Sequence, residues 1–191
     1  MSAESAAQVS IALVHHPVYD RNRQVVTTAV TNLDIHDIAR SARTFGLFRY
    51  YVVTPVSAQQ QLVTRIVGHW QDGWGATYNP KRKSALELVQ LAPSLQSATA
   101  ELSDALGKPV RVIATGARGG PAPLSCTELA EELAAGSDPV LLVFGTGWGL
   151  SEEVLQQVHG VLEPISGGTD YNHLSVRSAV AIYLDRLFGR K

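Results

Sequence analysis

A six-residue apolar run, Pro139 to Phe144 (PVLLVF), breaks off into Gly145-Thr146-Gly147-Trp148-Gly149 and then into a helix that starts at Ser151. A strand that is apolar at every position, not at alternate ones, is buried on both faces, which in practice means a parallel sheet with helices above and below it. Three further runs fit the same scheme, at Val9–Val14, Arg49–Thr54 and Val110–Ala114. Helical patterns separate them. The chain therefore reads as α/β, a single domain whose mostly parallel sheet carries helices on both faces. In such sheets ligands bind beyond the carboxyl ends of the strands. That directs attention to the loops beginning at His15, Thr115 and Gly145.

The first helix has the clearest signals. Thr31 or Asn32 can cap it, Asp34 and Asp37 sit in its first turn, and Gly46 marks its end. Its apolar stripe is Ile35, Ile38, Ala39 and Ala42. Helices are also expected over Ser57–Trp70, Lys83–Val89, Ser94–Leu106, Ser125–Ala135 and Asn172–Phe188, with Asp170 or Asn172 as the cap of the last. Ser125 and Glu128 have capping-box spacing. His15–Thr28, Gln71–Pro80 and Thr115–Leu124 read as loops. Residues 1–8 read as a short flexible N-terminus and residues 9–191 as the domain.

Composition narrows the function. Hydrophobic residues are 45% and charged residues 17% of 191, which is enough core to exclude a disordered chain. One cysteine cannot form an internal disulfide, no apolar run approaches the roughly 20 residues that span a bilayer, and Met1–Gln8 lacks signal-peptide character. A cytoplasmic protein without membrane contact is expected. The net charge is only −1, but it is unevenly spread. From Arg21 to Lys83 nine bases face three acids, a surplus of six, so the remainder carries minus seven. A basic face of that kind collects polyanions.

Four constellations carry chemistry. The Gly145–Gly149 turn lets backbone approach a ligand closely; it lacks the spacing and first-strand position of a dinucleotide fingerprint and the Gly-Lys-Ser/Thr of a triphosphate loop. His36, Arg40 and Arg43 form a polar stripe at i, i+4, i+7 on the first helix. Gly167–Arg177 (GGTDYNHLSVR) crowds Asp170, Tyr171, Asn172, His173, Ser175 and Arg177 before the last helix. Trp70, Trp74 and Tyr78 precede Lys81-Arg82-Lys83, the pairing of ring faces with cations that nucleic-acid binding needs. His15-His16 has no partner at ligand spacing, so no metal is expected, and Cys126 reads as a buried structural residue.

Three of these segments, in order, resemble the signature blocks of the SPOUT superfamily of S-adenosylmethionine-dependent RNA methyltransferases. Asn32–Arg40 with Phe45-Gly46 resembles the first, Leu142–Ser151 the second, and Glu163–Ile165 through Leu174–Ala179 the third. The wording is closest to a small bacterial branch known as SAM-dependent RNA methyltransferase domain proteins. The chain departs from the common pattern at Asp34 and His36 in the first block and at Ser175 and Arg177 in the third.

The resemblance implies a C-terminal trefoil knot and a homodimer. The latter also fits a last helix that is apolar around most of its girth, more than one sheet can cover. It implies methyl transfer from S-adenosylmethionine to a nucleotide of structured RNA, tRNA or rRNA. The methyl donor would rest on Thr115, Gly116, Phe144, Gly145, Thr146, Gly147, Trp148, Gly149, Ile165, Asn172, His173 and Leu174. RNA would meet Arg21, Arg23, Arg43, Trp74, Lys81, Arg82 and Lys83. Arg40 would face phosphate or developing negative charge on the target, since a guanidinium cannot act as a base, and Arg177 counts among the catalytic candidates. The candidate bases are Asp34, His36, Asp170 and His173. Two rival readings are a non-catalytic RNA-binding module of the same fold and a nucleotide-cofactor oxidoreductase.

Overall fold

The structure, a computed structural model, describes residues 8–120, 122–136 and 138–189; the segment expected to be a flexible N-terminus lies outside them except for Gln8. In chain order the strands are β1 (Val9–Val14), β2 (Val18–Tyr19), β3 (Val25–Val26), β4 (Tyr50–Val53), β5 (Val89–Ala92), β6 (Arg111–Ala114), β7 (Val140–Gly145) and β8 (Gly160–Val161). The helices are α1 (Asn32–Thr44), α2 (Ser57–Gln71), α3 (Trp74–Tyr78), α4 (Pro80–Leu86), α5 (Leu95–Leu106), α6 (Cys126–Ala134), α7 (Glu152–Leu155) and α8 (Val176–Phe188). Six strands form one sheet in the order β5-β4-β1-β7-β6-β8, and every neighbouring pair is parallel. β1 and β7 share its centre, in register from Val9 opposite Val140 to Val14 opposite Gly145.

Alternation along the strands divides the core in two. Ile11, Leu13, Tyr50, Val52, Leu142 and Phe144 face one way, packed with Ile35 and Ile38 of α1, Leu86 of α4, Leu129 of α6 and Leu184 of α8. Ala12, Val14, Tyr51, Val53, Leu141 and Val143 face the other, against Leu95, Ala98 and Leu102 of α5 and Val154 of α7. Helices therefore cover both faces, as the unbroken apolar runs require. Emptying such a position, for example Leu142→Ala, costs about 2–5 kcal/mol in lost burial and residual cavity.

α1 begins where its cap signals place it. The Thr31 hydroxyl accepts from the Asp34 amide at 3.2 Å, and Gly46, at φ +74°, turns the chain away after the last turn. Its buried side chains are Asp34, Ile35, Ile38, Ala39 and Ala42, the expected stripe plus one carboxylate.

The structure corrects several sequence expectations. The His15–Thr28 loop contains the antiparallel pair β2–β3. Gln71–Pro80 contains the short helix α3. The helix expected over Lys83–Val89 straddles a boundary: α4 starts earlier, with Pro80 at its first turn and the Asn79 side chain capping it, and Val89 already belongs to β5. α8 starts at Val176, capped by the Ser175 hydroxyl and not by Asp170 or Asn172. The residues from Glu163 to Ser175 are consequently irregular and free to wrap the ends of the strands. α8 also buries more within the chain than expected, because α1 and α6 take up Val180, Tyr183, Leu184 and Leu187 on its inner side.

Candidate active site

Beyond the carboxyl ends of the central strands lies a cleft of about 790 Å³, within the range of roughly 300–1,000 Å³ typical of ligand pockets. Three separated turns wall it: Thr115–Arg118 after β6, Phe144–Leu150 at the end of β7, and Asn172–Arg177 before α8, with Ile165 beside the last. Thr28, Thr31 and Asp34 close the side next to α1. The Asn172 side-chain amide donates to the Ala117 carbonyl at 2.8 Å and ties the first wall to the third.

The glycine turn is shaped by conformations and contacts that a side chain would spoil. Gly147 sits at φ +59° and a Cβ there would lie 2.9 Å from the Tyr19 carbonyl oxygen. Gly145 has ordinary φ, but a Cβ would meet the Leu150 amide at 2.8 Å. The close approach exists because β2 is laced to the turn: Trp148 N–H donates to Tyr19 O and Tyr19 N–H to Gly149 O, both at 2.9 Å. At the hairpin tip Arg23, with φ 62°, lays its guanidinium 4.2 Å over the Tyr19 ring and reaches the cleft.

A chain of hydrogen bonds fixes the back of the same turn. The Thr146 hydroxyl donates to Val14 O at 3.0 Å, so it accepts from the Thr28 hydroxyl at 2.5 Å. Thr28 in turn accepts from His15 Nδ1 at 3.1 Å. This order places the imidazole proton on Nδ1 and leaves the buried Nε2 as an acceptor without a partner. Burial pushes the His15 pKa down to about 4, against a smaller upward pull from Asp34. The residue is neutral at pH 7.

Asp34 is the acidic feature of the cleft. Its Oδ2 accepts from the Thr31 hydroxyl at 2.6 Å and its Oδ1 from Arg177 at 2.7 Å; Arg177 also lies 3.5 Å from Asp37. Each carboxylate oxygen already holds a donor. On the opposite wall the Tyr183 hydroxyl donates to Glu163 O at 2.7 Å, and burial raises its pKa to about 12, so it remains a neutral donor.

Of the residues singled out from sequence, all twelve assigned to the methyl donor line this cleft, together with Asp34, Arg177 and Arg23. His36 and Arg40 do not. They line a second cleft of about 530 Å³ on the far side of α1, with Arg65, His69, Trp70 and Arg82. The reason is helical geometry: at 100° per residue, positions 34 and 36 point about 200° apart. Asp170 is exposed on its loop and lines neither cleft. Arg21, Arg43, Trp74 and Lys81 are exposed, Lys83 is half-buried, and Trp74 stacks on Tyr78 with ring centroids 4.6 Å apart. Sequence reasoning missed Thr28, Thr31, Arg118 and Tyr183 as cleft residues and His15 behind them. Arg118 was legible as a base in a loop at a strand's carboxyl end. His15 occupies the same kind of position after β1.

Residues 8–189 match the family described as SAM-dependent RNA methyltransferase. The chain belongs to that family. It is 43% identical over 178 residues to a tRNA (guanine-N(1)-)-methyltransferase of Oleidesulfovibrio alaskensis, covering 93% of this chain and 41% of that protein. An uncharacterized Aquifex aeolicus protein is 38% identical over 182 residues, covering 95% of this chain and 89% of its own. The chain spans about two-fifths of the length of the relatives named tRNA (guanine-N(1)-)-methyltransferase.

Among solved structures, a probable methyltransferase from Bordetella pertussis superposes with a TM-score of 0.64 at 17% identity, covering 97% and 95% of the two chains. The SpoU methyltransferase AviRb of Streptomyces viridochromogenes, in complex with AdoMet, gives 0.57 at 18% identity over 94% and 56%. This member of the SAM-dependent RNA methyltransferase family thus shares its fold with these methyltransferase structures, as its SPOUT-like motifs imply. Among the described residues no helix is long and apolar enough to cross a membrane, and no three His, Cys, Asp or Glu side chains gather as a metal site.

The cleft fits the cofactor of the family. Phe144, Leu150, Val161 and Ile165 offer apolar wall for a flat base, and the glycines of two turns let backbone groups come near it. Arg23 and Arg118 supply positive charge for the carboxylate of an amino-acid arm. S-adenosylmethionine held there would supply a methyl group on a sulfonium.

Proposed function

We propose that the 790 Å³ cleft is the methyl-donor site and that the domain methylates a nucleotide of structured RNA, tRNA before rRNA. The observation that carries this is the convergence of three turns, 115–118, 144–150 and 172–177, on one cleft. Alignment of donor and acceptor is the main task in such a displacement, and turns pinned by Tyr19, Thr146 and Asn172 are suited to it. Within the cleft Asp34 acts as a positioning residue, because both of its oxygens are engaged. His173 lines the cleft with its ring edge-on to Tyr171 at 5.6 Å, which makes it the candidate for removing the acceptor's proton. Arg23 and Arg177 face negative charge on the bound nucleotide.

RNA docks on the basic side of α1, α3 and α4, where the exposed Trp74–Tyr78 pair and Lys81 and Lys83 combine a stacking surface with cations. The tRNA preference is supported by the names of the two relatives at 42–43% identity. Two copies associate through the outer side of α8, where Ala179, Ala181 and Ile182 are only partly covered, and through the exposed Tyr171 and Leu174 beside it. The Asn172–Ala117 bond, which holds the segment before α8 against the loop after β6, is consistent with a threaded C-terminus. A free, buried Cys126 is consistent with a reducing cytoplasm.

The test is transfer of a tritiated methyl group from S-adenosylmethionine to purified tRNA and rRNA. Label in tRNA supports the proposal; label in rRNA alone changes the substrate; RNA binding without any label supports a non-catalytic module instead.

A further inference from the structure

We infer that the second cleft, between α1, α2 and α4, is a phosphate subsite that seats a backbone phosphodiester of the RNA. It is distinct from the methyl-donor cleft and has a different chemistry. Three guanidinium groups line it, Arg40 from α1, Arg65 from α2 and Arg82 from α4, and among the described residues none of them is in an ion pair. The one acid on its wall, Asp37, is turned to Arg177 at 3.5 Å. The positive charge of the cleft is therefore not neutralised by the chain itself.

Two polar atoms are also left without partners. Arg82 Nε and His36 Nδ1 are both buried and neither has a hydrogen-bond partner, a costly arrangement for polar groups out of water. Their orientation is not accidental slack. The Arg82 guanidinium lies 4.7 Å over the Trp70 ring, whose surround is completed by His36 edge-on at 5.5 Å and His69 edge-on at 5.2 Å. A stacked guanidinium keeps its fork in a fixed plane, and such a fork matches the paired oxygens of a phosphate. Burial, Arg82 and Arg40 lower the His36 pKa against a raising pull from Asp37, so in the absence of an anion the ring is a neutral group. A ligand that brings several acceptor oxygens and negative charge suits the three guanidinium groups that line the cleft. A phosphodiester does so with two anionic and two ester oxygens set around a tetrahedral phosphorus; a carboxylate carries the same single charge but only two oxygens in one plane.

The phosphate chemistry stands on the cleft alone, and the RNA as its source rests on the methyltransferase reading above. Two measurements on the full chain separate them. In proton–nitrogen correlation spectra, titration with inorganic phosphate should shift the Arg82 Nε–H and Trp70 indole signals saturably, while chloride at equal ionic strength should not; the Arg82 signal is assigned by its loss in Arg82→Lys. In filter binding of tRNA, Arg65→Gln and Arg82→Gln together should weaken affinity about tenfold and lower the salt slope by about one, as for a lost phosphate contact. Arg65 is exposed, so Arg65→Gln alone keeps the test open if removal of the stacked Arg82 disturbs folding.

Absence of a saturable phosphate response overturns the subsite. A saturable response with unchanged tRNA affinity and slope overturns the RNA as occupant and points to a free phosphate compound. If both measurements succeed but S-adenosylmethionine does not bind the chain, the methyl-donor reading fails and the subsite remains.

Discussion

Arg177, at the start of the last helix, holds Asp34, in the first turn of α1, at 2.7 Å. These are two of the positions at which the chain departs from the common SPOUT wording, and the departures are partners. An acid introduced at position 34 in the wall of a methyl-donor cleft would be a buried, uncompensated charge. A base at 177, reaching across 143 residues of sequence, compensates it. The pair also locks the third wall of the cleft to the first helix.

Removal of one partner should therefore be worse than removal of both. The Asp34 side chain is 7% exposed, so Arg177→Ala leaves it without a counter-charge. We expect a loss of about 2–3 kcal/mol, below the full cost for a wholly buried pair because Arg177 is partly solvated. Asp34→Asn combined with Arg177→Ala should recover most of it. Urea unfolding of the two single variants and the double variant gives the coupling directly, and strict additivity would deny that the two residues are coupled.

Gly147→Ala strikes the glycine turn at its least tolerant point. The left-handed backbone costs a non-glycine residue about 1–2 kcal/mol, and the new Cβ would press on the Tyr19 carbonyl. Binding of S-adenosylmethionine, followed calorimetrically, should weaken by at least about tenfold. Unchanged affinity would mean that the donor does not use this turn.

His15 gives the fold a pH signature. In the unfolded chain its imidazole takes up a proton near pH 6.5, whereas in the folded chain it resists until about pH 4. The unfolded state thus binds more protons between these values, so stability is complete above pH 6.5 and falls as pH drops toward 4. The loss attributable to His15 is up to about 3 kcal/mol. His15→Asn retains an N–H for Thr28 and does not titrate. Its unfolding free energy should decline less than the wild type's between pH 6.5 and 4.5, and identical slopes would exclude His15 as the source.

Arg40 lines the second cleft with Arg65 and Arg82 and does not line the 790 Å³ cleft. Arg40→Ala should raise KM for tRNA more than it lowers kcat, with S-adenosylmethionine affinity within a few-fold of wild type. A pure kcat effect would make Arg40 a residue of the transition state, and a docking role would be excluded.

Much of this architecture is written locally. β1, β7 and α1 could be read because unbroken apolar runs and a cap-to-glycine helix pattern are signals carried within one segment. β5 and β8 could not. Val89–Ala92 follows a helical stretch without a break in hydrophobicity, and Gly160–Val161 is two residues whose strand character comes only from pairing with Ile113 and Ala114. The start of α8 was ambiguous because Asp170, Asn172 and Ser175 are all good caps, and only tertiary position selects Ser175. The position of the larger cleft was legible in outline, since turns after parallel strands converge at one end of the sheet. The separation of Asp34 from His36 and Arg40 follows from helical periodicity, yet both sides of α1 carry polar residues, so the sequence alone did not say which side faces the donor. The Thr28–Thr146 and Tyr19–Trp148 links join residues more than a hundred positions apart, and local patterns do not record them.

The convergence of the three turns on one methyl donor is most directly tested by proton–nitrogen correlation spectra of the full chain titrated with S-adenosylmethionine. Saturable amide shifts concentrated in residues 115–118, 144–150 and 172–177 are the predicted result. No response at millimolar S-adenosylmethionine, or shifts gathered elsewhere on the surface, would contradict it.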